Sequence, residues 1–161
     1  MKTVIKVLVI LVLAIVLIAL LGVTYITQAL PGIDAPSDLK VEVTPERVER
    51  GAYLANSVCV CMDCHSQRDW NAFAAPPILG TAGAGGDKFD RTMQFPGEFY
   101  AKNITPFTMK NWSDGEIYRA ITSGVDKDGR AFFPVMPYLY YSKLATEDVY
   151  SIIAYVRSLP S

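Results

Sequence analysis

The chain has 161 residues, of which 51% are apolar, and 15 basic and 16 acidic side chains give it a formal net charge of −1. That length suffices for one ordinary domain, and the near balance of charge gives no reason to expect a nucleic-acid partner. The apolar residues are spread unevenly and are densest near the N-terminus.

An uncharged apolar run, VLVILVLAIVLIALLGVTYITQA, extends from Val7 to Ala29. It exceeds the roughly 20 residues that a helix needs to cross a hydrocarbon core of about 30 Å. The alternative is a cleaved signal peptide with Lys2 and Lys6 as its basic start, but the apolar core of such a peptide has only about 7–15 residues. We therefore predict an uncleaved transmembrane anchor over residues 1–29. Because basic residues stay on the cytoplasmic side, we expect a single-pass protein of the bacterial inner membrane whose remainder lies on the periplasmic, outer side.

The next segment has the composition of a linker. PGIDAPSDLKVEVT, residues 31–44, contains three Pro and Gly residues, scattered charges and no helical period. We predict a linker over residues 30–43, followed by one domain over residues 44–161.

Three helices are predicted in this outer domain. Thr44 is suited to be an N-cap with Pro45 at the first helical position, so the first helix should run toward Val58. SDGE at residues 113–116 has the spacing of a capping box, and its helix should end before Gly124. After ATED at residues 145–148, apolar residues recur at helical spacing up to Pro160. The Gly- and Pro-rich segments between these helices lack the alternation of strands, so we expect an all-α domain with long loops.

All three cysteines and the only histidine lie within seven residues, from Cys59 to His65. Cys61, Cys64 and His65 spell CMDCH, the pattern for covalent attachment of a c-type haem. Two thiols one helical turn apart can add to the two vinyl groups on one edge of the porphyrin, and the next residue offers its imidazole to the iron as the proximal ligand. The predicted cofactor is one covalent haem c.

The motif has three other interpretations. A zinc site with three cysteines and one histidine would have to bind one ion through the adjacent Cys64 and His65, whereas such sites usually draw ligand pairs from separate segments. A redox-active CxxC pair usually follows a strand in a βαβ unit, and this motif follows a predicted helix. A buried disulfide with a spectator histidine is a third alternative.

Because the chain has no second histidine, the sixth iron ligand should be a methionine, a weaker alternative or nothing. Apart from the terminal methionine and the one inside the motif, the candidates are Met93, Met109 and Met136. Met136 lies between Pro134 and Pro137, which stiffen the backbone as a ligand loop requires. A methionine among aromatic residues is, however, ordinarily core filling.

Four blocks of the outer domain together match one family. They are RGAYLANSVCVCMDCHSQRDW (50–70), FYAKNITP (99–106), NWSDGEIYRAITSGVDKDGRAFFPVMPY (111–138) and EDVYSIIAYVRSLP (147–160). In this order they resemble class I c-type cytochromes, and among them the cytochrome subunits of bacterial alcohol, sugar and aldehyde dehydrogenases and of respiratory complexes. The resemblance implies a class I fold, with few helices and long loops around one haem, and it implies that Met136 and His65 are the axial ligands. It also implies a close crossing of the terminal helices at Gly51 and Tyr155.

The same resemblance suggests roles for residues outside the motif. A proline after the motif, Pro76 or Pro77, would offer its carbonyl to the free N–H of the proximal histidine and orient the ring. Asn103, Thr105 and Trp112 are candidates to approach the haem propionates or edge, with loop capping and core filling as equal alternatives.

Cys59 departs from the family pattern because it lies two residues before Cys61 and has no place in the CxxCH spacing. We predict a buried, inert thiol, with intermolecular pairing or a reactive site as the alternatives.

Function follows from the predicted ligands. With His65 and Met136 bound, the iron keeps no open position for substrate, and one-electron transfer remains. We predict a non-enzymatic carrier, without catalytic residues, between a quinol-oxidising respiratory complex or dehydrogenase and a terminal oxidase. The alternative is the dedicated haem subunit of a periplasmic alcohol, sugar or aldehyde dehydrogenase. A third hypothesis, a haem sensor or peroxidase-like protein, would require that Met136 dissociates or never binds. The predicted partners are the membrane and one of these complexes, without nucleic acid.

Overall fold

The computed structural model describes residues 2–160; the predicted anchor and domain begin and end at Met1 and Ser161, which lie outside the described residues. The chain forms two compact units, one up to Asp34 and one from Ala35 onward. Its helices are α1 (Lys2–Ala29), α2 (Pro45–Tyr53), α3 (Cys61–His65), α4 (Pro106–Met109), α5 (Asp114–Ser123), α6 (Tyr138–Tyr141) and α7 (Thr146–Ser158). A π-helical turn over Leu54–Val58 follows α2, and strands β1 (Lys88–Phe89) and β2 (Phe99–Tyr100) flank a 3₁₀ turn over Arg91–Met93. The protein is helix-rich, as predicted.

The N-terminal unit consists mainly of α1, whose 28 residues span about 42 Å at 1.5 Å per residue. The helix is long and apolar enough to cross a membrane. No residue within α1 is buried, and its apolar side chains are exposed. Length and composition suit a signal sequence as well, and the anchor and its orientation therefore stay predictions.

The outer unit is organised around a close crossing of α2 and α7. A Cβ at Gly51 would overlap the carbonyl of Ser151 and come within 2.8 Å of the Tyr155 Cβ, so only glycine lets the two backbones approach this closely. The implied crossing at Gly51 and Tyr155 is confirmed. The apolar stripe that predicted α7 faces the core, where Ile152 and Ile153 are almost fully buried.

The residues predicted to begin and end helices cap the helix backbones in the structure. The Ser113 hydroxyl accepts the Glu116 N–H at 3.1 Å, and the Ser113 N–H donates to the Glu116 carboxylate at 2.7 Å. Gly124 ends α5 at a φ of +66°, where a side chain would also collide with the Tyr138 ring. The Thr44 hydroxyl accepts the Arg47 N–H at 3.3 Å, and the α2 segment continues through the π-helical turn to Val58.

The later part of the segment predicted as a linker packs on the outer unit. Val41 is only 9% exposed, and its N–H donates to Asp114 Oδ2 at 2.8 Å. The other carboxylate oxygen of Asp114 accepts from Arg157 Nε at 3.0 Å and Nη2 at 2.8 Å. Burial of the Val41 side chain and the hydrogen bond from its N–H to Asp114 hold the chain ahead of α2 in place. The division into residues 1–29, 30–43 and 44–161 itself stays a prediction.

A small antiparallel sheet departs from the all-α expectation. It pairs Lys88 with Tyr100 and Phe89 with Phe99. Two-residue strands are too short to produce the alternation by which a sequence indicates a strand. Four aromatic rings pack on and beside the sheet: Phe89, Phe95, Phe99 and Phe133.

Candidate haem site

The short helix α3 carries three of the four predicted site residues, namely Cys61, Cys64 and His65. The chain enters it by a sharp change of direction. The π-helical turn closes with the Cys59 N–H on the Leu54 carbonyl at 2.8 Å, and the next residue, Val60, has a φ of +48°. A β-branched residue rarely adopts this left-handed conformation, so the surrounding structure must impose it.

Backbone hydrogen bonds from the segment 83–87 hold α3 in place. The Gly85 N–H donates to the His65 carbonyl at 2.8 Å, and the Asp87 N–H donates to the Cys64 carbonyl at 3.1 Å. A Cβ at Gly86 would overlap the carbonyl of Ser66, which is fully buried. Beneath the helix, Met62 is 1% exposed. These contacts fix the motif on its inner side.

The His65 ring is oriented by a single backbone acceptor. Its Nδ1 lies 2.7 Å from the Lys102 carbonyl. A carbonyl can only accept, so Nδ1 carries the proton and Nε2 keeps its lone pair. Burial lowers the pKa of His65, and the hydrogen bond to Lys102 opposes this only in part, so the ring is neutral near pH 7. A neutral imidazole with a free Nε2 is the form that binds iron.

The suggestion that Pro76 or Pro77 supplies this carbonyl is wrong. The Pro76 carbonyl instead accepts the Asp69 N–H at 3.0 Å. Arg68 stabilises the loop before Pro76, because its guanidinium donates to the Ala75 carbonyl at 2.6 Å and to the Ala74 carbonyl at 3.1 Å.

Asn103, Thr105 and Trp112 take part in loop capping and core packing. The Asn103 side-chain oxygen accepts the Thr105 N–H at 2.8 Å and the Thr105 hydroxyl at 2.7 Å, which is loop capping. Trp112 packs on the core cluster around Ile117 and Val149. All three residues thus have structural roles, and their approach to the haem stays a prediction.

The cysteines are free thiols, and two of them interact. A hydrogen bond between the Cys59 and Cys61 side chains lowers the pKa of Cys59. The same bond, together with burial, raises the pKa of Cys61 well above its usual value. Burial, followed by the carboxylates of Asp87 and Asp63, raises the pKa of Cys64. Cys61 and Cys64 therefore stay protonated at neutral pH, and as free, reduced cysteines they are in the oxidation state from which thioether bonds to vinyl groups form.

Cys59 is 4% exposed and packs with Leu54, Ile152 and Val156. Its predicted burial is confirmed, and its inertness stays a prediction. Within residues 2–160, no three His, Cys, Asp or Glu side chains are arranged to hold a metal ion, so the zinc alternative gains no support. The donor set fits a haem instead: two thiols and one imidazole nitrogen on the same short helix.

Met136 lies in the segment between Gly124 and α6 and is partly buried. The other candidates have different surroundings. Met109 is 7% exposed and fills the core beside Val41 and Ile117, while Met93 is 53% exposed on the 3₁₀ turn. Because Met109 is packed in the core, it is the least available of the three methionines as an iron ligand. The role of Met136 as a ligand stays a prediction.

Helix α6 joins the Met136 segment to the motif, a connection that was not predicted. The Tyr141 hydroxyl donates to the Cys59 carbonyl at 2.6 Å. Burial, followed by the nearby thiols, raises the pKa of Tyr141, so this hydroxyl keeps its proton. The sequence YLYY contains no signal for this contact, because a four-residue helix shows no apolar period.

Comparison with known proteins gives a consistent class of relatives. No protein-family profile matches the chain. It is 34% identical over 114 residues, 69% of its length, to a fructose dehydrogenase cytochrome subunit from Gluconobacter japonicus. It is 31% identical over 111 residues to a gluconate 2-dehydrogenase cytochrome c subunit from Pantoea cypripedii, and 30% identical over 111 residues to the cytochrome c subunit of a quinone alcohol dehydrogenase from Gluconacetobacter polyoxogenes. The latter two matches each cover 67% of this chain.

These relatives confirm the predicted resemblance, since they are cytochrome c subunits of dehydrogenases and not catalytic subunits. The chain is therefore similar to electron-transfer proteins, and such relatives imply haem c. It spans only about a fifth of their length, 21–22%. Because the match covers so little of the relatives, the number of haems and the identity of the partner stay proposals for this chain.

Proposed function

We propose that this chain is a membrane-tethered class I cytochrome c with a single haem, attached through Cys61 and Cys64 and ligated by His65 and Met136. The observation that carries the proposal is the His65 ring, whose Nδ1 is held by the Lys102 carbonyl so that Nε2 keeps its lone pair, on the same short helix as the free thiols of Cys61 and Cys64. When bound, the haem supplies an iron that gains and loses one electron. The protein contributes the fixed imidazole, a thioether donor and a packed environment, which together favour electron transfer over substrate binding.

We infer that the electrons come from a dehydrogenase or a quinol-oxidising respiratory complex and pass to a terminal oxidase. The relatives favour the first donor, because they are subunits of alcohol, fructose and gluconate dehydrogenases. A dedicated subunit of such a dehydrogenase and a mobile carrier use the same site. They differ only in whether the complex with the donor persists.

The tether belongs to the same proposal. α1 is apolar on all sides and has no buried residue, which suits a helix surrounded by lipid. Lys2 and Lys6 at its start favour an orientation with the outer unit on the periplasmic side of a bacterial inner membrane. The tether would hold the haem domain near a membrane-bound partner at a high effective concentration.

Covalent attachment can be tested directly. The full chain is produced in a host that matures c-type cytochromes, and haem is detected on a denaturing gel, with its ratio to protein measured optically. We expect one haem that migrates with the polypeptide and is lost when Cys61 and Cys64 are both replaced by alanine. Cys59→Ala is the matched control and should keep its haem. Haem that extracts freely from the wild type, or more than one haem per chain, would contradict the proposal.

The partner can be tested in the native membrane. After mild detergent extraction, a dedicated subunit should co-purify with a dehydrogenase in fixed ratio, whereas a mobile carrier should separate from it. A soluble form that begins near Pro31 should keep the haem spectrum and turn over more slowly with membranes at equal concentration, because the tether supplies proximity only. Equal turnover of the two forms would contradict a role for the tether.

A further inference from the structure

The segment that carries Met136 is connected to the cysteine motif by one hydroxyl group. The Tyr141 hydroxyl donates to the Cys59 carbonyl, 82 residues earlier in the chain, at 2.6 Å. The ring is partly buried and packs with Leu54, Cys59 and Ile152. The accepting carbonyl lies immediately before Val60, whose φ is +48°, and two residues before Cys61. The bond therefore ends where the chain turns into α3.

Between Met136 and Tyr141 the backbone has little freedom. The Tyr138 N–H donates to the Met136 carbonyl at 2.8 Å, and the Pro137 carbonyl accepts the N–H groups of Tyr140 at 2.9 Å and Tyr141 at 3.2 Å. Pro137 has a restricted φ, and the Tyr138 ring is seated against Gly124. Displacement of Tyr141 would therefore move Met136 with it.

The other end of the segment is held by aromatic packing. The Phe133 ring stacks on Phe99 of β2 with centroids 4.2 Å apart and planes inclined by 19°. Phe95 packs edge-on against both rings. Met136 thus lies between a stacked ring three residues earlier and a hydrogen-bonded ring five residues later. Of these two supports, only the second reaches the cysteine motif.

We propose that Tyr141 is a positioning residue for the sixth iron ligand: its hydrogen bond to the Cys59 carbonyl sets the place of Met136 relative to the motif. This inference rests on the proposed ligand role of Met136. A thioether is a weak donor to iron, so its occupancy depends on how well the chain presents it. The hydroxyl is the part of Tyr141 that carries this function, and the ring supplies only packing.

The test compares Tyr141→Phe with Tyr140→Phe in the full-length, haem-loaded protein. Tyr140 is the matched control because it is the neighbouring tyrosine, 78% exposed. Two readouts report on the sixth ligand: the charge-transfer band of methionine bound to ferric haem, and the rate at which carbon monoxide binds the ferrous form. Loss of one hydrogen bond should raise the population without bound methionine, and hence the carbon monoxide rate, roughly two- to tenfold in Tyr141→Phe. Tyr140→Phe should match the wild type.

A merely structural role would lower the unfolding midpoint of Tyr141→Phe and leave both readouts unchanged, and that result overturns the inference. The proposed ligand is tested separately with Met136→Ala. If this variant keeps the charge-transfer band, Met136 is not the ligand and the proposed function fails at that point. If Met136→Ala loses the band while Tyr141→Phe behaves as the wild type, only the positioning role is refuted.

Discussion

The two predicted axial ligands lie on segments that are held in different ways. On the histidine side, which comprises α3, residues 83–87 and Lys102, backbone hydrogen bonds and buried residues fix the ligand. On the methionine side, residues 124–141, most of the chain around the ligand is exposed, with Leu139 at 68% and Tyr140 at 78%. Its connection to the motif runs through the Tyr141 side chain. Segments with few buried contacts open first, so we expect the site to lose its methionine well before its histidine.

The strongest test of this asymmetry removes the methionine itself. Met136→Ala should keep the covalent haem and the histidine ligand, open the sixth position and lower the reduction potential, because a thioether ligand raises it. Carbon monoxide binding and potentiometry measure these effects. Met93→Ala, at an exposed position, is the control and should leave both unchanged. If Met93→Ala changes them and Met136→Ala does not, Met93 and not Met136 is the sixth ligand.

Helix α2, which leads through the π-helical turn into α3 on the histidine side, crosses α7 closely. Gly51→Ala places a Cβ on the Ser151 carbonyl, and we expect a loss of about 3 kcal/mol of unfolding free energy, despite a gain of about 1 kcal/mol in helix propensity. Denaturant unfolding measures the change. At Gly97 a Cβ would lie 3.6 Å from the Phe99 ring, an ordinary contact, so Gly97→Ala should change stability little. Equal effects of the two variants would refute the close crossing.

Asp114 opens the helix that leads to the methionine side. It accepts hydrogen bonds from Val41 and from Arg157, with both charged side chains about four-fifths buried. Asp114→Asn should lower the unfolding free energy by about 2 kcal/mol, since hydrogen bonds to charged groups contribute about 1.5–3 kcal/mol. The control is Asp148→Asn, whose partner Arg50 is half exposed and whose loss should be smaller. A larger loss of unfolding free energy in Asp148→Asn than in Asp114→Asn would contradict the expectation that the more buried ion pair contributes more.

The smallest expected effect is a pH dependence in the loop before Met136. Burial raises the pKa of Asp126, but hydrogen bonds from the Arg130 backbone and side chain and from the Asp128 N–H outweigh it, so the pKa lies below its ordinary 3.8. The ionised form therefore stabilises the fold above about pH 4, and this contribution is lost as the pH falls further. With Arg130 largely exposed, we expect less than about 1 kcal/mol.

Unfolding measured between pH 7 and pH 3 checks this, because Asp126→Asn should flatten the acid dependence and the exposed Asp38→Asn should not. An unchanged acid dependence in Asp126→Asn would show that the loop carboxylate does not contribute.

Signals that act over a few residues were predicted well. The capping box at Ser113 and the N-cap at Thr44 are each complete within one helix, and α2 and α5 begin where these signals place them. The apolar stripe predicted α7, which begins at Thr146, within the ATED stretch and not after it. The CMDCH motif is equally local, because its chemistry depends on the spacing within five residues. Such features are determined by the sequence because backbone propensity and side-chain spacing decide them before any distant contact forms.

Contacts between distant segments were decided by the tertiary structure alone. The carbonyl that orients His65 belongs to Lys102, 37 residues away, and not to a proline near the motif. The bond from Tyr141 to Cys59 spans 82 residues, and the two-residue strands pair where aromatic rings from residues 89 to 133 pack together. A sequence states which groups can donate, accept or pack. Which of them meet depends on how the helices close around the core, because many pairs of equal chemistry are available and only packing selects among them.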